Sequence, residues 1–323
     1  VGWVNHVRRW AKLPYALVAN RLATPVLVLL YHRVCELPSD PQSLAVSPSR
    51  FRAQLQWLSK NFPVVRFDQD WSSLQRPSVC ITFDDGYADN VTHALPIIEE
   101  LGLHTTFFIT AGMVDADREF WWDELEQLLL IPRDRPTQLA LQYEGRRIEL
   151  ATADTNACQR AYQALHGLLR PLAHPARERL LQQLRHWVGT TGMARDSHRA
   201  VDTEQLHRLA ASPHAGIGAH TVNHDVLSVL PPAAQRQQIA DSRDQLAAAA
   251  QLSIDLFAYP YGGRRDFNRD TMEICRELGL RRCAANVPGL AYPWTDPMRI
   301  PRQVVGDWEM GQFESWLRWS WTR

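Results

Sequence analysis

No stretch of this 323-residue chain reaches the roughly 20 apolar residues that a membrane-spanning helix needs. The best run, Leu13 to Ala19, stops at Asn20 and Arg21, which excludes such a helix. Net charge is lacking too: 35 Lys+Arg balance 35 Asp+Glu. With a pI near 7.3 the chain offers no basic field for a phosphate backbone, so nucleic acid is not an expected partner. Cysteine is scarce, with five residues and no CxxC pair. That excludes a disulfide framework and a zinc ribbon and points to a reducing compartment. Lysine is almost absent: Lys12 and Lys60 stand alone among the basic residues, which reads as base-composition bias. Hydrophobic content of 45% and charged content of 22% exclude disorder as the main theme.

What is present begins with twelve tryptophans, useful in cores and as stacking platforms for sugars or bases. Residues 1–25 read as an N-terminal helical segment, with Val4, Val7, Trp10 and Ala11 facing the protein or a membrane surface. Arg8, Arg9 and Lys12 ahead of a short apolar run faintly resemble a signal peptide, but Pro14 interrupts the run and no small-residue cleavage site follows. The expected location is cytoplasmic, with peripheral membrane or biosynthetic-complex association as a corollary.

Short β-rich runs alternate with helical patterns. The strand candidates are Val26 to Tyr31, Ser78 to Phe83, Thr105 to Thr110, Gly216 to Ala219 and Leu256 to Tyr259. Helices are expected over Phe51 to Leu58, entered through Ser47-Pro48, and over Ala94 to Leu101 and Ala233 to Leu246. This alternation predicts an α/β fold with a parallel sheet, open or closed into a barrel, whose ligand site lies at the C-terminal ends of the strands. Between about Trp121 and Leu209 the β pattern fades into Leu, Arg, Gln and Ala. We read a helical insertion there, its arginines forming a solvated face, within one domain over residues 26–323.

Two motifs carry chemistry. Ile81-Thr-Phe-Asp-Asp-Gly86 ends a strand in adjacent carboxylates, whose alternating directions let one hold a cation while the other handles a proton. The plainer alternative is a turn capping the next helix. His220-Thr-Val-Asn-His224 follows another strand, and two histidines four apart can converge on one metal if the segment takes a helical turn. Two histidines and one carboxylate make a set that leaves a position on zinc open.

Thr82-Phe-Asp-Asp-Gly86, the His220/His224 pair and Phe257-Ala-Tyr-Pro-Tyr-Gly262 resemble, in order, the first three motifs of the polysaccharide deacetylases, the NodB-homology or carbohydrate esterase 4 family. The resemblance runs from about Leu27 to Val305. It implies a distorted (β/α) barrel and metal-dependent removal of acetyl groups from N-acetylated sugars. Asp85, His220 and His224 would hold a divalent metal, zinc by expectation. Asp84 would be the base, and the N–H of Tyr261, its backbone fixed by Pro260, would face the oxyanion. The family usually has an arginine two residues before that proline, where this chain has Ala258. Arg302 is the expected substitute, with Arg264 behind it. The family's usual late histidine is also missing, since no histidine follows His224. The branch resembling the poly-N-acetylglucosamine deacetylases places the acid histidine in an N-terminal Tyr-His segment, and Tyr31-His32 matches it.

Trp121 and Trp122, at the start of the insertion, are candidate stacking platforms for a sugar, with Asp123 as a substrate contact, an orienter of His32 or a helix N-cap. Trp308 is a candidate lining for an acetyl methyl or a core contact. The expected reaction is N-deacetylation of a polysaccharide, oligosaccharide or precursor in exopolysaccharide or cell-envelope glycan synthesis. An O-acetyl esterase and a non-catalytic glycan-binding component are the alternatives.

Overall fold

The structure is a computed structural model that describes residues 23–321, so the segment expected over residues 1–25 lies, up to residue 22, outside the described residues. The strands are β1 (Val26–Tyr31), β2 (Arg33–Val34), β3 (Ala45–Val46), β4 (Ser78–Phe83), β5 (Thr105–Ile109), β6 (Gln138–Tyr143), β7 (Arg146–Ala151), β8 (Ala215–Ala219), β9 (Leu256–Ala258), β10 (Arg282–Ala285), β11 (Ile300–Pro301) and β12 (Gln303–Val304). Eight of them form one parallel sheet in the order β11-β10-β9-β8-β5-β4-β1-β12. Its two edge strands are one stretch of chain interrupted at Arg302. Ile300 and Pro301 pair with β10, whereas Gln303 and Val304 pair with β1. The sheet therefore curls until its ends meet across a single residue, giving the distorted barrel expected from the sequence.

Side chains alternate across this wall with period two. Val26, Val28, Cys80, Phe108, Leu256, Ala258, Ala284 and Ile300 point inward and pack with Val65, Phe67 and Trp71. The intervening positions, including Leu27, Leu29, Val79, Ile81, Phe107 and Phe257, join the larger outer core beneath the helices. Burial on both faces explains why the strands read as unbroken apolar runs. β8 is the thin part of the wall: a Cβ on Gly218 would lie 2.5 Å from the Phe108 ring.

The helices are α1 (Pro48–Asn61), α2 (Leu95–Glu100), α3 (Trp121–Leu129), α4 (Thr155–Leu169), α5 (His174–Val188), α6 (Thr203–Ala211), α7 (Pro232–Ala250), α8 (Arg269–Glu277) and α9 (Met310–Ser320). α1 starts as expected, with Ser47 as N-cap and Pro48 in the first turn, but the Ser47 side chain makes no capping bond. Its hydroxyl donates to Asp307 instead, at 3.0 Å. A π-helical turn over Asn90–Ala94 leads into α2, so helical structure begins earlier than the apolar spacing suggested.

The insertion is not purely helical. It holds α3, α4 and α5, and between α3 and α4 an antiparallel hairpin, β6–β7. Leu139 and Leu141 are buried while Gln138, Ala140 and Gln142 are exposed, and Glu144 and Gly145 turn the chain with φ of 50° and 73°, as a type I′ hairpin requires. The hairpin's Gln, Leu, Glu and Arg give it little β propensity, which hid it. Leu125, Leu128, Tyr162, Leu165, Leu180 and Leu184 form a core with β6, joined by Tyr87 and Met113 from barrel loops. Nor are its arginines simply a solvated face. Arg177 is 2% exposed and paired with Asp225, and Arg195 reaches Glu119 and Glu126.

Gly218→Val should lower the unfolding free energy by about 1–3 kcal/mol through overpacking against Phe108, read as a shift of the urea midpoint. An unchanged midpoint would contradict a tight inner wall at this position.

Candidate active site

Asp84 extends the inward register of β4 by one step beyond Thr82, its N–H donating to the Tyr31 carbonyl at 3.1 Å. The chain then turns sharply. Gly86 N–H donates to the Asp84 carbonyl at 3.0 Å with Asp85 at φ 75° between them, a γ-turn of the strained kind. Gly86 itself has φ 85°, and a Cβ there would lie 2.9 Å from Ile109. Both carboxylates are only 3% exposed, yet they face different partners.

Arg302 takes Asp84. Its two terminal nitrogens donate to Oδ1 and Oδ2 at 2.7 and 2.6 Å, and one also reaches Thr82 Oγ1 at 3.2 Å. The guanidinium is fully buried and lies over the Phe108 ring at 5.5 Å. Burial alone would raise the Asp84 pKa, but the charges of Arg302 and His220 together with the hydrogen bonds from Arg302 outweigh it and hold the carboxyl below its ordinary range. Ala258, the last inward residue of β9, is a bare methyl, so the arginine comes from the barrel's closing segment instead. Arg264 lines a separate cavity with Phe267 and Arg269.

Asp85 takes the histidines. The segment after β8 brings the two histidines together without a helical turn. It is a loop bent at Thr221 (φ 64°) and His224 (φ 52°), in which His224 N–H donates to Thr221 Oγ1 at 3.0 Å. His220 Nδ1 meets the Ala258 carbonyl at 2.7 Å, which leaves Nε2 facing the acids, 3.5 Å from Asp85 Oδ1 and 3.9 Å from Asp84 Oδ2. His224 Nε2 lies 3.2 Å from the same Asp85 oxygen. One donor atom from each of Asp85, His220 and His224 lies within 4.8 Å of the others. Burial would raise the Asp85 pKa, but its bonds to the two histidines hold it far below the carboxylate range. Burial pushes the His224 pKa down, favouring the neutral imidazole that ligates metals. Two imidazoles, one carboxylate and a backbone-anchored ring fit a divalent cation of the zinc type.

Across from them, Pro260-Tyr261-Gly262 repeats the strained turn. Gly262 N–H donates to the Pro260 carbonyl at 2.6 Å around Tyr261 at φ 59°. A Cβ on Gly262 would lie 2.6 Å from the Asn286 nitrogen. The Tyr261 hydroxyl accepts from Trp121 Nε1 at 3.0 Å, and Arg170 covers its ring at 4.3 Å. Burial pushes its pKa up to about 12, so the phenol stays protonated. Among the described residues the Tyr261 N–H has no backbone acceptor. Asp85, Thr221, His224 and Tyr261 all take left-handed backbone, a conformation costing on the order of 1–3 kcal/mol each that collects where function demands it.

His32, half-buried just past β1, is held by Asn90 Nδ2, which donates to its carbonyl at 2.8 Å. A positive charge on His32 would favour the ionised forms of Asp84 and Asp85. Trp121 and Trp122 are not free platforms, at 6% and 4% exposed. Trp122 stacks on Phe120 at 4.7 Å and sets its edge against His224, while Trp121 lies against His166. They are the wall behind the site. Asp123 neither caps α3, whose N-cap is Phe120, nor orients His32. It accepts from the Tyr87 hydroxyl at 2.6 Å, which in turn accepts from Trp122 Nε1 at 2.9 Å. Trp308 packs on Trp316.

Arg177 had no signal beyond arginine in a helix. From α5 it donates to the Asn223 carbonyl at 2.9 Å and to Asp225 Oδ1 at 2.8 Å, gripping the loop on both sides of His224. Asp225 also accepts from the His174 N–H at 3.2 Å. The insertion thus braces the histidine loop through Arg177 and the Tyr261 turn through Trp121 and Arg170.

The polysaccharide deacetylase family model matches residues 72–162 and 182–283; the gap between the two matched stretches runs from the second half of α4 into α5. The chain is 28% identical over 108 residues to YxkH of Bacillus subtilis (strain 168), a match spanning 31% of this chain and 37% of that relative. IcaB from Ammonifex degensii superposes with a TM-score of 0.57 at 20% identity, over 92% of this chain and 97% of its own. A de-N-acetylase from Aggregatibacter actinomycetemcomitans gives 0.57 at 15% identity, over 90% and 99%. At such identities the likeness to both structures is one of fold.

Two outcomes follow from this geometry. Arg177→Gln should weaken divalent-metal binding by about 10–100-fold, the usual cost of losing an outer support, with Asp85, His220 and His224 intact. Equilibrium dialysis checks it, and unchanged affinity would show that the grip is not needed. Asp123, pushed up to about 8 by burial, keeps its proton in the folded protein across a range where the unfolded chain has lost it. Stability should therefore fall as pH rises from about 4 to 8, since the unfolded group titrates near 3.9. Tm measured against pH should show Asp123→Asn gaining on the wild type over that window, and a constant gap would remove the effect.

Proposed function

This chain belongs to the polysaccharide deacetylase family, and from that premise we propose that it hydrolyses acetamide groups of N-acetylhexosamine units in a polysaccharide or its precursor. The setting we assign is exopolysaccharide or cell-envelope glycan synthesis. The observation that carries the reading is the division of labour between adjacent carboxylates: Asp84 is gripped by Arg302 through two bonds, while Asp85 faces His220 and His224. Asp85, His220 and His224 would hold a divalent ion, zinc by our assignment, which when bound supplies Lewis-acid polarisation of the acetyl carbonyl and makes water more acidic.

The chain's own residues do the rest. Asp84, kept ionised by Arg302, accepts the proton of the water that attacks the acetyl carbon. The clamp fixes the carboxylate plane, so no reorganisation is needed at that step. The Tyr261 N–H, presented outward by its left-handed turn, donates to the developing oxyanion. His32 delivers a proton to the departing nitrogen as the C–N bond breaks, releasing acetate and the free amine. Assigning the acid to the Tyr31-His32 segment aligns the chain with the branch resembling the poly-N-acetylglucosamine deacetylases, and the lack of any histidine after His224 supports that assignment.

Acetate release from N-acetylglucosamine oligomers and from O-acetylated glycans tests the proposal. Asp84→Asn, close to isosteric, should retain metal yet lose nearly all turnover on the oligomers. Normal turnover in that variant removes Asp84 as base. Release from esters with none from amides makes the protein an esterase instead.

A further inference from the structure

We propose that a cavity flanking the Tyr261 turn binds an anionic group of the substrate, a phosphate or a carboxylate carried by the glycan. The enzyme would then act on a charged glycan rather than a neutral one. The inference rests on the deacetylase reading above.

The cavity, about 400 Å³, is lined by Arg264, Arg269 and Arg299 around Phe267, Met272 and Pro301, a size within the ordinary range for small-ligand sites. All three arginines are exposed. Among the described residues none of them forms an ion pair, although arginine in this chain is usually paired. The neighbouring carboxylates are mostly occupied. Asp266 accepts from Arg170 and from the Gly263 N–H, each at 2.8 Å. Asp296 holds Arg276 at 3.0 Å and accepts from the Met298 N–H at 2.9 Å. Asp270, in the first turn of α8, forms no ion pair with any of the three.

Three guanidinium groups around a concavity focus positive potential into it, and their planar forks match the oxygens of phosphate and carboxylate. The apolar floor suits the less polar face of a sugar ring. Position ties the cavity to the reaction. Arg264 lies three residues beyond Tyr261, so their Cα atoms are at most roughly 11 Å apart. Pro301 is bonded to Arg302, and Asn286 N–H donates to the Gly262 carbonyl at 2.8 Å, which fixes the rim against the Tyr261 turn. The chain's zero net charge conceals this local excess.

The test uses the full chain with its metal and the variant Arg264→Gln/Arg269→Gln/Arg299→Gln, whose unchanged Tm would show an intact fold. Substrates are a neutral N-acetylglucosamine oligomer, the same oligomer carrying a terminal phosphate, and an oligomer containing glucuronate. KM for an anionic substrate should rise at least about tenfold in the variant with kcat nearly unchanged, while KM for the neutral oligomer stays put, and about 0.5 M salt should mimic the substitution. Whichever anionic arm responds identifies the source of the charge. Equal KM for all three substrates in both proteins overturns the proposal and leaves the deacetylase reading standing. Calorimetric titration with inorganic pyrophosphate and with glucuronate reads the cavity without turnover. Binding lost in the variant supports the proposal even if no oligomer is hydrolysed, a result that would count against the deacetylase reading alone. Binding to neither protein, or equally to both, overturns it.

Discussion

The bidentate bond between Arg302 and Asp84 joins the architecture to the chemistry. Arg302 is the one residue between β11 and β12, where the chain leaves one end of the sheet and joins the other, and its side chain turns into the barrel to meet the acid at the end of β4. Removing either partner would strand a buried charge, a loss on the order of 3–5 kcal/mol. The same two hydrogen bonds therefore tie the closing strand to the wall and keep the carboxylate ionised. With Asp84 committed to Arg302, the γ-turn that follows sends Asp85 to the histidines.

Around this pair the site is assembled from strained turns held in place by neighbours. Asp85 and Tyr261 each sit at the centre of a tight turn followed by a left-handed glycine, and His224, itself left-handed, is reached through left-handed Thr221. Such conformations persist only where the surroundings over-determine them. The surroundings here are the Ala258 carbonyl beneath His220, the Trp122 ring against His224, and the Arg177 and Trp121 contacts from the insertion. The insertion, whose arginines read in the sequence as a solvated face, is a buttress for loops whose preferred conformations lie elsewhere.

Much of this was legible in the sequence because chemistry and strand register coincide. β1 and β4 have the expected limits, since parallel strands buried on both faces leave unbroken apolar runs. The acids and histidines lie just past strand ends, where such a fold gathers them. Ala258, too short to reach anything, directed attention to Arg302. Other features left no such mark. The β6–β7 hairpin is built from residues with little β propensity, and its register comes from tertiary burial. Arg177 looks like any helical arginine until α5 is laid beside the His224 loop. Trp121 and Trp122 offered aromatic faces on paper, but a pair opening an amphipathic helix is most easily satisfied in a core, and that is where they went.

The join at Arg302 has a consequence for the protein's company as well as its catalysis. An open parallel sheet exposes two rows of unpaired backbone groups on which another chain can continue the pairing. Here the two margins are strands of two residues each, and they adjoin through a single peptide unit on either side of Arg302. Neither side offers a length of strand on which a foreign segment could template. The arginine that orients the acid is thus also a seam, and what it seals out is other polypeptide.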